Sequence, residues 1–451
     1  MGSNLPRILH FGVGNFHRAH QAWYTQTANA LHPDAPQWRI TGVSLRSAAI
    51  RDALVPQRYA YTLAILNDQS VSYNQITVHD AILVAPENSA QVVGNVADPE
   101  VQVITLTVTE KGYHLVPATG RLDLYDTAIQ HDLTSSAPRT VIGFLTYGLA
   151  ARAHGTAGPI TIISCDNLPE NGHLLRQAVL DFATAAGLEL DTYIARSVRF
   201  PATMVDRITP ATTNQMRADV ARSTGRAEAH PVMTEGFSDW VLEDNFAGPT
   251  PDWASAGAVI TQDVVPFEAR KLRLLNAAHS YLAYAGVLSG YSFVHQAVAD
   301  PKLRANVIAL FEEAACTLPA QARATADDYG HALLARFANP HLKHELRQIA
   351  MDGSQKIPVR ILGTLRDRHA VGLSAPMASA ALAAWIAFLR AEVTAERPLQ
   401  DGAAQNLQTM VQTSRSVATL CQATLLRLDF TPPNTAWFQQ LCGTVSDWSA
   451  R

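Results

Sequence analysis

The chain has 451 residues, enough for two domains of ordinary size with large buried cores. Apolar residues make up 47% and charged residues 16%, which excludes a disordered, collagenous or coiled-coil protein. Lys and Arg number 35 against 39 Asp and Glu, and a formal charge of -4 spreads too weak a field to gather nucleic acid, so no nucleic-acid partner is expected.

The N-terminal string MGSNLPRILHFGVGNFHRAH lacks the charged start, apolar run and small-residue cleavage site of a signal peptide. No stretch of ~20 consecutive apolar residues is found in the chain, and a cytoplasmic protein with no membrane partner is expected. Cys165, Cys316, Cys421 and Cys442 form no CxxC pair, so reduced thiols are expected and neither a disulfide framework nor a cysteine-held zinc. Up to about residue 260, short apolar β-branched runs alternate with amphipathic stretches, the grammar of a parallel sheet covered by helices. Strands are expected at 7–12, 39–45, 101–108, 160–165 and, more ambiguously, 198–205, with helices at 137–153 and 172–186, the second stopped by Gly187. Residues 245–257 read as an extended surface connection. Beyond them come long helical stretches at 267–285, 301–315, 378–395 and 407–428. An α/β architecture follows, with a doubly wound sheet domain over 1–265 and a mainly α-helical domain over 266–451.

Gly12-Val13-Gly14 makes a tight turn between the first strand and a helix expected at 16–30, where a dinucleotide pyrophosphate approaches free amides. The third glycine of the usual fingerprint is missing, because position 17 is His17. The end of the second strand reads Ser44-Leu45-Arg46-Ser47 and offers no acid to an adenosine ribose. Arg46 suits a 2′-phosphate or is a solvated surface residue, and Asp52 is a further ribose candidate.

The richest segment is VPFEARKLRLLNAAHSYLAYA, residues 265–285. On a regular helix Glu268, Lys271, Asn276 and His279 fall within an arc of about 140°. Polar groups in so apolar a stretch are paired or functional. Taken singly, each is open to a structural reading, and Glu268 with Lys271 to a solvated ion pair. Taken together they suit metal-free alcohol oxidation, with a desolvated Lys271 amine accepting the proton, an Asn276 amide on the developing alkoxide and His279 orienting the hydroxyl.

The strings GVGNFHRAHQAWYT (12–25), TLTVTEKGY (105–113), SCDNLPENG (164–172), FPATMVDRITP (200–210), DWVLEDNF (239–246) and KLRLLNAAHS (271–280) together closely resemble the mannitol dehydrogenase family. The resemblance spans nearly the whole chain and implies an N-terminal Rossmann domain, a helical C-terminal domain and a nicotinamide cofactor, NAD with NADP as an alternative. It implies Lys271 as general base, Asn276 and Asn167 as the alkoxide-stabilising amides, His279 as a substrate-positioning residue and Glu268 as a proton relay. Asp206 and Lys356 are implied as substrate contacts, and Gly12, Gly14, Phe16, Thr107, Thr109 and Glu110 as cofactor contacts. Structural readings stay open beside these: an Asp206–Arg207 ion pair, a strand-end cap at Asn167, and a packed helix face for the histidines of HRAH. The implied substrate is an open-chain polyol such as mannitol or arabinitol, oxidised at C2.

Polyol members look to have an arginine eight residues before the lysine that matches Lys356. Here that position is Gln348, with Arg347 beside it, and RQIAMDGSQKIPVR (347–360) looks more like the D-mannonate oxidoreductases, which implies D-fructuronate reduction as the alternative activity. From a different class, a nucleotide-binding sensor without turnover shares the same architecture. The oligomeric state is not legible.

Overall fold

The computed structural model describes residues 5–67 and 70–449, so the first four residues of the N-terminal string lie outside it. The chain divides into two compact units, Met1–Val264 and Val265–Arg451.

Among the described residues of the first unit are twelve strands: β1 (Arg7–Phe11), β2 (Arg39–Ser44), β3 (Tyr61–Leu66), β4 (Val71–Ile76), β5 (His79–Val84), β6 (Val101–Leu106), β7 (Ile160–Ser164), β8 (Val198–Arg199), β9 (Thr203–Asp206), β10 (Val232–Glu235), β11 (Asp239–Glu243) and β12 (Val259–Thr261). The main sheet is parallel throughout and ordered β5-β2-β1-β6-β7-β8. Two smaller sheets, β10-β3-β4 and β12-β11-β9, complete the unit. With the β3–β4 hairpin set aside as an insertion, the main order is that of a Rossmann sheet, whose direction of winding reverses between β1 and β6.

Both faces of the sheet are buried, which is why its strands are nearly continuous apolar runs. Leu9, Phe11, Ile104, Leu106 and Ile162 pack with residues of the helices Ser89–Ala97, Val141–Ala153 and Asn171–Ala185 in one core. Ile8, Ile40, Val103 and Ile163 share the second core with Tyr24, Tyr61, Trp240 and Trp253.

Several expected elements differ in detail. The stretch 198–205 is two strands in two sheets, since Pro201 lies between them and has no N–H to offer a ladder. The helix expected over 16–30 is two, Asn15–Ala19 and Gln21–Leu31, broken at His20 with φ −117° and ψ −89°. The connection 245–257 is irregular but not merely a surface strap, because Trp253 is buried against Trp240 and donates its indole N–H to Thr25 Oγ1 at 3.1 Å. The helix expected at 407–428 is also two, Ala404–Thr413 and Val417–Arg427, parted where Ser416 caps the second in a capping box with Thr419.

In the second unit the helix Ala277–Leu288 packs on the helix Pro376–Thr394 through small buried residues, among them Ala278, Ala283, Ala381 and Ala384. By length and composition Pro376–Thr394 is apolar enough to cross a membrane, but in this unit Ala381–Leu389 are buried core residues.

Among the histidines buried at the second core of the sheet unit are His10, His17 and His79. Burial pushes the imidazoles of His10 and His79 down to about 3, and His17 well below the usual value as well. The unfolded chain takes up these protons below about pH 6.5 and the folded chain does not, so stability is lost as pH falls from 6.5 towards 3. Urea unfolding followed by tryptophan emission should show stability level above pH 7. Below pH 6.5 the decline should be on the order of 1.4 kcal/mol per pH unit for each such histidine. A curve equally steep in His79→Gln would contradict the assignment.

Candidate active site

In the sheet unit the predicted cofactor residues gather at the carboxyl ends of the strands, on both sides of the switch between β1 and β6. Gly12 follows β1 with φ +98°, and a β-carbon there would lie 2.1 Å from the Thr107 carbonyl oxygen. Only glycine permits so close an approach of the two strand ends. The Gly12 carbonyl accepts from Gly14 N at 2.7 Å and Thr107 Oγ1 at 2.8 Å. Gly14 is exposed, with no atom within 4 Å of the place a β-carbon would take. Phe16 is half-buried and stacks on His20 at 4.9 Å. Arg46 is exposed just past β2, while Asp52 is paired with Arg51. An open glycine turn at a winding reversal, with Arg46 at the end of the neighbouring strand, fits a dinucleotide.

Thr109 and Glu110 are exposed beyond β6, and Thr109 adopts a left-handed backbone with φ +66°. What holds this loop is Asp166, a residue the motif reading passed over. Its carboxylate is buried and accepts from Val108 N at 3.0 Å, Thr109 N at 2.8 Å and Tyr113 OH at 2.8 Å. Burial raises its carboxyl above the usual range against the pull of these bonds. Asn167 follows directly and is exposed, so the same acid fixes the base of the loop and of the predicted amide. The signal in the sequence was an acid placed just after the largely apolar run ITIIS-C, which becomes a wholly buried strand.

Asp206 is buried at the end of β9, opposite Asp239 on β11. The neighbouring Arg207 guanidinium donates to the carbonyls of Ala19 and Glu235 and lies 4.9 Å from the Trp23 ring. The HRAH histidines form a packed face: His17 and His20 are fully buried, the first against His10 and the second against Phe16 and Trp240. Among the described residues no three His, Cys, Asp or Glu are arranged to hold a metal ion.

In the helical unit the regular arc expected for Glu268, Lys271, Asn276 and His279 is corrected by the backbone. Val265–Arg270 is α-helical, Lys271–Asn276 is a π-helical turn, and the α-helix resumes at Ala277. A wider turn between Lys271 and His279 changes their angular relation, and such turns are frequent at functional sites. A second π-helical turn, Pro358–Leu362, packs against the first. From it the Arg360 guanidinium reaches the Asn276 carbonyl at 3.5 Å and Ser280 Oγ at 3.3 Å.

Glu268, Lys271 and Asn276 are half-buried, whereas His279 is 8% exposed. Burial first, and then the positive groups His344, Arg336, Arg360 and Lys356, hold its imidazole well below the usual value, so it is neutral at physiological pH. Its Nε2 is buried without a hydrogen-bond partner, as is Nδ1 of His344, whose ring stands edge-on at 5.1 Å. An unsatisfied buried nitrogen is where a substrate hydroxyl gains most. Lys356 donates to the Ile349 carbonyl at 3.2 Å. Its turn depends on Gly353, where a β-carbon would lie 2.3 Å from the Trp385 indole nitrogen. Arg347 pairs with the buried Glu392 at 2.7 Å, which also binds Arg397. Gln348 is exposed on the same short helix.

Residues 6–255 match the mannitol dehydrogenase Rossmann domain and residues 263–429 the mannitol dehydrogenase C-terminal domain. The chain belongs to the mannitol dehydrogenase family. It is 39% identical over 388 residues to the D-mannonate oxidoreductase of Escherichia coli K12, covering 85% of this chain and 79% of that protein. To the mannitol 2-dehydrogenase of Phaeosphaeria nodorum it is 38% identical over 390 residues, 85% of this chain and 68% of that one. The mannitol 2-dehydrogenase of Pseudomonas fluorescens, solved as a ternary complex with NAD and D-mannitol, superposes with a TM-score of 0.81 at 33% identity, over 99% of this chain and 92% of that chain. This family membership makes the protein an oxidoreductase with a Rossmann cofactor domain.

Asp166→Ala removes the acceptor of two backbone N–H groups, at a cost of about 1 to 3 kcal/mol for each group left unsatisfied. Thermal unfolding should move down accordingly. Amide exchange in a peptide covering 107–113 should speed up at the same time, and exchange indistinguishable from the parent would refute the anchoring role.

Proposed function

We propose that the protein is an NAD-dependent dehydrogenase that moves a hydride between the cofactor and a secondary alcohol, at C2, of an open-chain polyol of the mannitol or arabinitol type. The observation that carries this reading is the Lys271–Asn276 turn leading into the unsatisfied Nε2 of the neutral His279, in a chain similar over nearly its whole length to a protein solved with NAD and D-mannitol. Gly12, Gly14, Phe16, Thr107, Thr109, Glu110 and Arg46 would hold the cofactor, with NADP admitted by Arg46 in place of an acid. When bound, NAD supplies the hydride acceptor.

The remaining work falls to the chain's own side chains. The Lys271 amine takes the hydroxyl proton as the C–H bond gives up its hydride, and the carbinol becomes a carbonyl. Amide N–H groups of Asn276 and Asn167 donate to the oxygen as it turns alkoxide. His279, held neutral, orients the hydroxyl, and Glu268, three residues before the lysine, passes the proton onward. Asp206 and Lys356 bind the remaining hydroxyls. None of these roles calls for a Lewis acid. The location proposed with this chemistry is the cytoplasm, in keeping with four free cysteines.

A second reading is D-fructuronate reduction to D-mannonate. It is favoured by Gln348 where polyol members look to have arginine, and by Lys356 and Arg360 flanking the His279 region, since a carboxylate exchanging water for a cation gains roughly 1.5 to 3 kcal/mol.

Lys271→Ala should lower kcat about 10² to 10⁴-fold with the NAD dissociation constant little changed. In the parent enzyme, alcohol oxidation should rise with pH and ketone reduction fall, and a mutant with half of parental turnover would exclude the lysine as base. Extended dialysis against a strong chelator should leave activity intact; loss with restoration by zinc would demand a metal mechanism. Rates on polyols and aldonates, each with NAD and NADP, decide the substrate. A kcat/KM at least about a hundredfold higher for fructuronate than for fructose, together with a selective loss on the sugar acid in Lys356→Met, would establish the second reading.

A further inference from the structure

The usual dinucleotide turn ends in a third glycine, whose missing side chain lets the following helix lie close against the first strand. This chain has His17 at that position, and the structure shows what takes the glycine's place. The His17 ring lies 3.4 Å from the ring of His10, nearly parallel at 13°. His10 is on β1, two residues before Gly12 and on the same face as Ile8, so it stands directly beneath the turn.

The hydrogen bonds fix both tautomers. His10 Nε2 lies 3.0 Å from the Gly12 carbonyl, which only accepts, so this nitrogen carries the hydrogen. Nδ1 is then bare and accepts from Thr105 Oγ1 at 2.7 Å, across the register pair His10–Thr105 of β1 and β6. Gln21 gives its amide hydrogens to His20 and turns its oxygen to His17 Nδ1 at 3.3 Å, so His17 Nε2 accepts from His79 Nε2 at 2.9 Å on β5. His10 thus adds a third donor to the Gly12 carbonyl from inside the sheet, and its flat face supports the first helical turn after Gly14.

We propose that the His10–His17 pair does the work of the third glycine, His10 acting as the positioning residue that locks the Gly12 carbonyl and sets the spacing between β1 and Asn15–Ala19, so that cofactor affinity depends on this buried stack. The proposal rests on the NAD-binding reading above.

Its test is NAD affinity without substrate, measured by calorimetric titration. His10→Leu keeps bulk and loses every hydrogen-bond contact of the ring, to Thr105, Gly12 and Thr107, whereas His10→Gln keeps a donor near the place of Nε2. His17→Gly restores the usual fingerprint. His10→Leu and His17→Gly should each weaken NAD about tenfold or more, and His10→Gln should recover most of that loss. In turnover, the KM for NAD should rise more than kcat at saturation falls. Restored consensus that binds NAD as tightly as the parent, or His10→Leu within about twofold of it, overturns the proposal. Should either variant fail to fold, Thr105→Val, isosteric and one bond short, decides in its place: weaker NAD supports the lock and unchanged affinity overturns it. Failure of the parent itself to bind NAD would sink the cofactor reading instead, which keeps the two outcomes apart.

Discussion

The ends of β1 and β6 meet so closely that no side chain fits between them: the Thr107 carbonyl occupies the space a β-carbon on Gly12 would need. That approach brings Thr107 Oγ1 onto the Gly12 carbonyl and leaves Gly14 facing open space. It also starts the loop that Asp166 gathers by two backbone amides. Cofactor turn, strand-end loop and the exposed Asn167 are therefore parts of one rigid edge, and their positions follow from a parallel sheet whose winding reverses there.

The helical unit solves a different problem. The proposed general base, amide donor and hydroxyl-orienting imidazole are close in sequence on one helical segment, and a uniform helical pitch gives them only one set of directions. The π-helical turn at Lys271–Asn276 changes that set, and its neighbour at Pro358–Leu362 brings Arg360 to the Asn276 carbonyl at the end of the wider turn. Burial and then the surrounding cations keep His279 neutral, as the proposed orienting role, which needs both a donor and an acceptor, requires.

The doubly wound architecture was legible because strands buried on both faces become nearly continuous runs of apolar and β-branched residues, and β1, β2, β6 and β7 come close to that form. β5 escaped notice, since HDAILV opens on His79 and Asp80, whose polarity is absorbed by the histidine cluster and by Thr41. The β3–β4 hairpin is an insertion with no counterpart in the alternating pattern. Residue type marked Lys271, Asn276 and His279 as a group, but composition carries no trace of a π-helical turn, because KLRLLN suits an ordinary helix equally well. Arg347 illustrates the same boundary: only the partner fold of Glu392 shows that its charge is already engaged. Asp166 and His10 had a readable signal, a polar residue in or just after an apolar strand, that motif matching alone does not weigh.

A π-helical turn amounts to one residue more than a regular helix would need over the same rise. Removing any one residue from 272–275 would let the backbone relax to ordinary pitch with Lys271 and His279 kept close to their present phase, and what would go is the widened turn at whose end Arg360 meets the Asn276 carbonyl. Substitutions in this stretch are a matter of packing, and Leu274 and Leu275 have apolar replacements of similar volume. Shortening is a matter of the turn's width. A residue gained or lost here therefore reshapes the backbone opening between lysine and histidine, whereas an apolar exchange only refills the space behind it.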